Sequence, residues 1–196
     1  MTQRISFTQK MIVEAAFALT REEGWGGVTA RSIARKLGSS TMPIYSSLKS
    51  MREIEAAVRV RAESLMREFQ GRVYTNEQPL DIALGYVSFA RDERNLFRFL
   101  YVDRPLPDAR KVPRQGAVQP LGRVRSGGTV VPITDQVPVA KQDPGILKSW
   151  IFTHGLASMI SSGVLDLPDR RIRSLLREAG GAFFAAGSKK KEKKNE

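Results

Sequence analysis

Residues 28–50 have the sequence Val-Thr-Ala-Arg-Ser-Ile-Ala-Arg-Lys-Leu-Gly-Ser-Ser-Thr-Met-Pro-Ile-Tyr-Ser-Ser-Leu-Lys-Ser, and this stretch decides the fold. Thr29 is a good N-cap for a short helix whose apolar residues recur at helical spacing as far as Leu37. Gly38 follows, where a helix commonly ends in the left-handed region. Either of the next two serines can cap a second helix. The stretch therefore predicts two short helices joined by a tight turn, which is either a helix-turn-helix or a plain αα-hairpin.

The sequence before this stretch predicts another helix that can share its core. Ser6 or Thr8 can cap this helix, apolar residues recur at helical spacing from Ile12 to Leu19, and Gly24 can end it. Three helices of this kind can enclose one small apolar core. The additional helix favours a helix-turn-helix unit over a plain hairpin.

Residues 11–58 resemble the DNA-binding domain of the TetR family of bacterial transcriptional regulators. The resemblance depends on a capped first helix, a Thr-x-Arg-x-Ile-Ala helix and a Gly-x-Ser-x-x-x-Ile-Tyr helix at fixed spacings. Leu48 stands where the family usually has an aromatic residue, and Met51 stands where members often carry a lysine. The matching residues are Ile12, Ala15, Ala16, Leu19, Gly24, Val28, Thr29, Arg31, Ile33, Ala34, Leu37, Gly38, Ser40, Ile44, Tyr45, Lys49 and Ser50.

The resemblance implies a sequence-specific transcriptional repressor whose second motif helix, residues 40–47, enters the major groove of double-stranded DNA. Met42 and Pro43 cannot donate hydrogen bonds to bases, so they would read groove shape and thymine methyl groups. Arg31 would make a bidentate contact to guanine, and other residues would hold phosphates. The predicted DNA-binding residues are Thr29, Arg31, Ser40, Thr41, Met42, Pro43, Tyr45, Ser46 and Lys49, of which Thr29, Tyr45 and Lys49 are the phosphate contacts.

The sequence after this motif predicts an all-α chain with a second helical domain. Ser50 can cap a long helix, and Glu53 stands three residues later, as in a capping box. Residues 80–102 have the pattern of two helices, separated near 92–95. The predicted domains are a helix-turn-helix DNA-binding domain at 1–50, a connecting helix at 51–70, an effector-binding and dimerisation domain at 71–187, and a basic disordered tail at 188–196.

Residues 103–145 are too rich in proline and glycine for a long helix. Gly127 and Gly128 could turn a short hairpin, although a mobile loop is the expected structure. We therefore expect an irregular insertion, a pocket lid, or a segment that becomes ordered on binding ligand or DNA. Helical patterns return at 146–163 and 168–186, and these two segments resemble the last two helices of the family.

The resemblance implies a homodimer held by a four-helix interface, a palindromic operator and an apolar small-molecule effector. The two DNA-binding domains of one dimer would contact half-sites about 34–36 Å apart. His154 is the only histidine and is more typical of a core residue than of a catalyst. The predicted interface residues are Leu156, Ile160, Leu175 and Phe183. The predicted effector-pocket residues are Tyr86, Phe89, Phe97, Tyr101, Trp150 and His154.

Composition fits this interpretation and argues against other classes. The formal charge of +12 indicates a polyanionic partner. The chain has no cysteine, no nucleophile or metal-ligand motif, no long apolar run and no signal-peptide core, so we expect a cytoplasmic protein without enzymatic activity, cofactor, metal or membrane contact. The alternative is an architectural DNA-binding protein without effector control, which would show weak sequence preference and a steep salt dependence.

Overall fold

The computed structural model describes residues 7–42, 44, 50–103 and 144–192, with side chains described as far as residue 185. Every regular element in these ranges is helical, which confirms the predicted all-α class. The elements are α1 (Gln9–Glu23), a 3-10 turn (Trp25–Gly27), α2 (Ala30–Lys36), α3 (Met51–Gln70), α4 (Gln78–Asp92), α5 (Arg94–Tyr101), α6 (Pro144–Ser161) and α7 (Asp169–Glu192).

The chain divides into two compact units. The first unit comprises residues 1–68 and 92–104, and the second comprises residues 69–91 and 105–196. The segment 71–187, which the sequence predicts as one domain, is therefore shared between them. Among the helices in the described ranges, none combines the length and the apolar character needed to cross a membrane.

Helix α1 begins and ends where its local signals predict. The Thr8 hydroxyl accepts a hydrogen bond from Met11 N at 3.3 Å, and Ser6 lies outside the described residues. Gly24 ends the helix with a φ of 82°, a conformation that costs glycine little. The apolar stripe faces the core of the first unit, and its buried members are Ile12, Ala15, Ala16, Phe17 and Leu19.

Helix α5 completes the first unit although it is distant in sequence. It packs against α1, and its buried residues are Leu96, Phe97, Phe99 and Leu100. At its start, the buried Glu93 carboxylate pairs with Arg21, and Asn95 donates to the carbonyls of Arg21 and Glu22 at 3.0 Å each. At its end, Arg59 of α3 donates to the Phe99 and Leu100 carbonyls at 3.3 Å. These bonds satisfy carbonyls that a helix end leaves unpaired.

The second unit contains α4, α6 and α7. The end of α3 approaches α4 at Gly85, where a Cβ atom would lie 2.6 Å from Gln70 Cα. Helices α6 and α7 pack together, and the Phe152 and Phe183 rings meet edge to face with centroids 6.3 Å apart. Gly163, which the sequence predicts as the end of α6, follows the helix with a φ of 75°.

The boundaries of α7 differ from those expected. The Pro168 carbonyl accepts hydrogen bonds from Arg171 and Ile172, so Pro168 precedes the helix rather than lying within its first turn. The helix continues to Glu192 and so includes residues 188–192, for which the sequence predicts a disordered tail. Lysine and glutamate are good helix formers, and they can extend a helix that packing has already started. The predicted irregular insertion falls almost entirely outside the described residues.

Candidate nucleic-acid interface

The first turn of α2 is held rigidly by its own capping residues. The Thr29 hydroxyl accepts from Ser32 N at 3.0 Å, and Thr29 N donates to the Ser32 hydroxyl at 2.8 Å, forming a reciprocal capping box. The Ser32 hydroxyl also donates to the Gly27 carbonyl at 3.0 Å. This network confirms Thr29 as the N-cap, and it fixes the direction in which the start of α2 points.

The end of α2 turns sharply, as the sequence predicts. Gly38 adopts a φ of 62°, and Ser39 N donates to the Ala34 carbonyl at 2.9 Å while Gly38 N donates to the Arg35 carbonyl at 3.2 Å. This is the paired hydrogen-bond pattern of a Schellman motif, which satisfies carbonyls at a helix end and reverses the chain. The turn directs the following segment away from the axis of α2.

The described part of the second motif helix separates an inner from an outer side. Ile44 is fully buried, whereas Met42 is 75% exposed. Ser40 is exposed and Thr41 is half-buried, and the Thr41 carbonyl accepts from Ile44 N at 3.2 Å. Pro43, Tyr45, Ser46 and Lys49 lie outside the described residues, so their predicted DNA contacts stay predictions.

A groove in the first unit brings two helix starts together. It is lined by the first turn of α2, the first turns of α3 and the 3-10 turn, with Trp25, Val28, Thr29, Ala30, Arg31, Met51, Arg52 and Glu55 as its residues. The first N–H groups of a helix have no partner within that helix, and the positive end of a helix dipole lies at each of these two starts. Ser50 supports the second start, because its hydroxyl accepts from Glu53 N at 3.3 Å.

The basic side chains near this groove are not equivalent. Arg31, Arg35 and Arg52 are exposed, and the part of the chain that the structure describes offers none of them an ion-pair partner. Lys36, in contrast, contacts Glu22 with its Nζ 2.8 Å from the carboxylate. Arg31 also lies in the first turn of α2, where a positive charge opposes the helix dipole and an external anion would relieve the repulsion.

The predicted effector-pocket residues fall into separate groups. Phe97 and Tyr101 belong to α5 in the first unit, with ring centroids 5.3 Å apart. In the second unit, the Tyr86 hydroxyl and His154 Nδ1 are 2.9 Å apart, and the Trp150 ring stacks on His154 with centroids 5.5 Å apart. Burial lowers the pKa of His154 below its ordinary value of 6.5. Phe89, also in the second unit, is fully buried and meets Phe69 edge to face at 5.6 Å.

The predicted interface residues are partly covered by their own chain. Leu156 and Ile160 are 7% and 3% exposed, and Leu175 and Phe183 are half-buried. The outer face of α6 instead carries other apolar residues, because Ile151 is 58% and Met159 is 44% exposed. Apolar periodicity shows that a face is buried, but it does not distinguish burial within a chain from burial between chains.

Sequence reasoning missed the contacts that bind α5 into the first unit. Arg21 and Glu93 are ordinary surface residues by type, and no local pattern links residues 72 positions apart. Arg52 and Trp25, which line the groove, were not among the predicted DNA-binding residues. The available signal was the position of Arg52 in the first turn of a capped helix, where a basic residue is unfavourable without an anion.

Comparison with known proteins shows a similarity in sequence to a bacterial regulator. The chain is 30% identical over 94 residues to the uncharacterized HTH-type transcriptional regulator YobS of Bacillus subtilis (strain 168). The match covers 46% of this chain and 49% of the relative, so the chain spans about half the length of the curated protein it matches. No family model matches the chain. An HTH-type transcriptional regulator is therefore the class of protein that this all-helical chain resembles in sequence.

Proposed function

We propose that the chain is a TetR-like transcriptional repressor that binds a palindromic operator as a homodimer and releases it when a small apolar effector binds. The observation that carries this proposal is the groove between the starts of α2 and α3. Two helix N-termini lie there together with Arg31 and Arg52, to which the described residues offer no ion-pair partner. This combination suits the phosphate backbone of DNA, since N–H groups, helix dipoles and arginine all favour anions.

Binding of the DNA backbone in this groove would position the base-contacting residues of the motif in the major groove. A phosphate bound at the first turns of α2 and α3 would fix the first unit against the backbone, and Arg31 would then extend into the major groove toward guanine. The exposed Met42 would contact thymine methyl groups from the second motif helix. Thr41, Pro43, Tyr45, Ser46 and Lys49 would supply the remaining contacts, as the family resemblance implies.

A second copy of the chain would cover the outer face of α6. Ile151, Gly155 and Met159 recur every four residues on that face, and all three are exposed. A Cβ atom added to Gly155 would meet nothing within 4 Å of it, so the fold of one protomer does not require glycine there. Glycine in a helix interior costs about 1 kcal/mol relative to alanine. Close approach of a helix from the partner would explain both the glycine and the exposed apolar side chains.

Effector control would act through the chain connection between α4 and α5. Glu93 alone separates the two helices in sequence, and its carboxylate is held by Arg21 of α1. A ligand that displaces α4 would therefore pull on α5 and on the elements that α5 contacts. The effector would shift the protein toward a conformation with lower DNA affinity, in proportion to its preference for that conformation. Because chromosomal DNA is the partner, the protein would act in the cytoplasm, without catalysis or a cofactor.

Selection of genomic fragments with the purified protein tests this proposal. A palindromic consensus with two half-sites, bound at physiological salt, is the expected result. The matched variants are Arg31→Ala, which should relax one base position in each half-site of the consensus, and Lys36→Ala, which should retain the full consensus because Lys36 is already paired with Glu22. Fragments without a consensus, combined with a steep salt dependence, would contradict the proposal and favour the architectural DNA-binding protein.

A further inference from the structure

The second unit contains a buried hydrogen-bond donor that its surroundings do not use. The indole Nε1 of Trp150 is buried, and no acceptor for it exists among the residues that the structure describes. The Trp150 side chain as a whole is only half-buried. A buried polar group without a partner costs free energy, and an acceptor bound to Trp150 Nε1 would recover that free energy.

Two aromatic side chains, His154 and Tyr86, lie close to Trp150. The Trp150 and His154 rings stack at a centroid distance of 5.5 Å and an interplanar angle of 23°, one helical turn apart on α6. The Tyr86 hydroxyl of α4, itself buried, holds His154 Nδ1 at 2.9 Å and so fixes the imidazole in place. Burial lowers the pKa of His154, which keeps the imidazole neutral at pH 7.

The chemistry of this cluster selects against charged ligands. Tyr86, Trp150 and neutral His154 carry no full charge, so a carboxylate or an ammonium group brought beside them would lose hydration without meeting an opposite full charge. Aromatic walls favour planar ligands, which can stack on or pack edge to face against the rings. Binding sites for small molecules typically combine such apolar walls with one or two polar groups that set orientation.

We infer that the second unit binds a neutral aromatic carbonyl compound whose oxygen accepts a hydrogen bond from Trp150 Nε1, beside the Trp150–His154 stack. The inference rests on the proposed effector control, since it names the class of effector and the donor that selects it. His154 supports the Trp150 ring, and Tyr86 positions His154, so Tyr86 acts on the ligand only through the other two residues.

The indole N–H resonance of Trp150 gives a direct test by nuclear magnetic resonance. The chain has two tryptophans, and the Trp150 signal is the one that disappears in W150F. Three compounds of similar size serve as probes: acetophenone has a carbonyl oxygen, ethylbenzene has no acceptor, and benzoate is an anion. We expect acetophenone to shift the Trp150 N–H signal downfield, to leave the Trp25 signal in place, and to bind about tenfold tighter than ethylbenzene.

The W150F variant supplies the matched control. Phenylalanine keeps an aromatic ring and removes the donor, so acetophenone and ethylbenzene should then bind with similar affinity. The inference is overturned if ethylbenzene or benzoate binds the wild-type protein as tightly as acetophenone. It is equally overturned if the Trp150 signal stays in place at saturating acetophenone, because another part of the protein then already occupies the donor.

Operator binding, measured separately, distinguishes this inference from the proposed function. If acetophenone binds through Trp150 but leaves operator affinity unchanged, the site stands and effector control through it is wrong. If the protein selects no operator at all, the regulator proposal fails while the ligand measurements still decide the inference.

Discussion

Substitution of Gly85 by alanine should destabilise the protein because backbone atoms occupy the space of the new methyl group. The added Cβ would lie 2.6 Å from Gln70 Cα and 2.7 Å from the Phe69 carbonyl carbon, with the Phe69 oxygen closer still. Ordinary contact begins at 3.4 Å, so the end of α3 and α4 would have to separate by at least about 0.8 Å. Neither helix can yield by rotating a side chain, and separation would disturb the contact between Phe69 and Phe89.

The size of this effect follows from two opposing terms. Overpacking of a tight core costs about 1–3 kcal/mol, and contact with the backbone of Phe69 and Gln70 places Gly85→Ala at the upper end. Alanine regains about 1 kcal/mol of helix propensity. The net loss should be about 2 kcal/mol, which lowers the melting temperature by about 4–8 °C for a chain of this size.

Thermal unfolding followed by circular dichroism at fixed protomer concentration measures the loss. Gly180→Ala is the matched control, since Gly180 lies within α7 and an added Cβ would meet nothing within 4 Å. That substitution should raise the free energy of unfolding by about 0.5–1 kcal/mol. A Gly85→Ala protein that melts at or above the wild-type temperature would refute the close approach of α3 and α4.

Four further substitutions test other contacts. Arg31→Ala should weaken operator binding by about 1–3 kcal/mol and relax one base position per half-site in a binding-site selection; unchanged base preference would exclude the guanine contact. Glu93→Gln should lower the free energy of unfolding, measured by urea titration, by about 1–2 kcal/mol, since the Glu93 carboxylate is buried but its partner Arg21 is largely exposed. A change below about 0.5 kcal/mol would show that the pair contributes little to stability. Ile151→Asp should yield monomers in sedimentation experiments, and a stable dimer would exclude the outer face of α6 as the interface. Burial lowers the pKa of His154, so as the pH falls the imidazole becomes protonated in the unfolded chain before it does in the folded protein. The stability of the protein should therefore fall as the pH drops below about 6.5, and this fall should be smaller in His154→Gln.

Local signals predicted the starts of α1, α2 and α3 and the turn after α2, because the interactions that set them span only a few residues. Thr8, Thr29 and Ser50 cap the helices that they were expected to cap, and Gly38 adopts the left-handed conformation that the turn requires. Each of these features depends on a hydroxyl three residues from an N–H group, or on the missing Cβ of a glycine, and both can be recognised without knowledge of the fold.

Contacts between distant residues could not be predicted in the same way. The sequence pattern of α5 shows an amphipathic helix but does not show that it packs on α1, because that depends on Arg21 meeting Glu93 and Arg59 reaching two carbonyls. Leu156 and Ile160 were expected to face a second chain for a related reason. Their spacing marks a buried face, and only the packing of α6 within its own unit identifies what covers it.

The discontinuous first unit has a consequence for how the chain can be made and divided. The Trp25 and Phe99 rings contact each other at a tilt of 32°, with centroids 5.1 Å apart, and α5 is the element that brings Phe99 there. A ribosome must therefore finish α5 before this unit can close, although α1, α2 and α3 emerge much earlier. A fragment cut after α3 would expose the surface of α1 that α5 normally covers. The first unit therefore cannot be moved to another protein as one continuous segment. Recombination that exchanged residues 1–68 alone would separate these residues from α5, the last helix of the same unit.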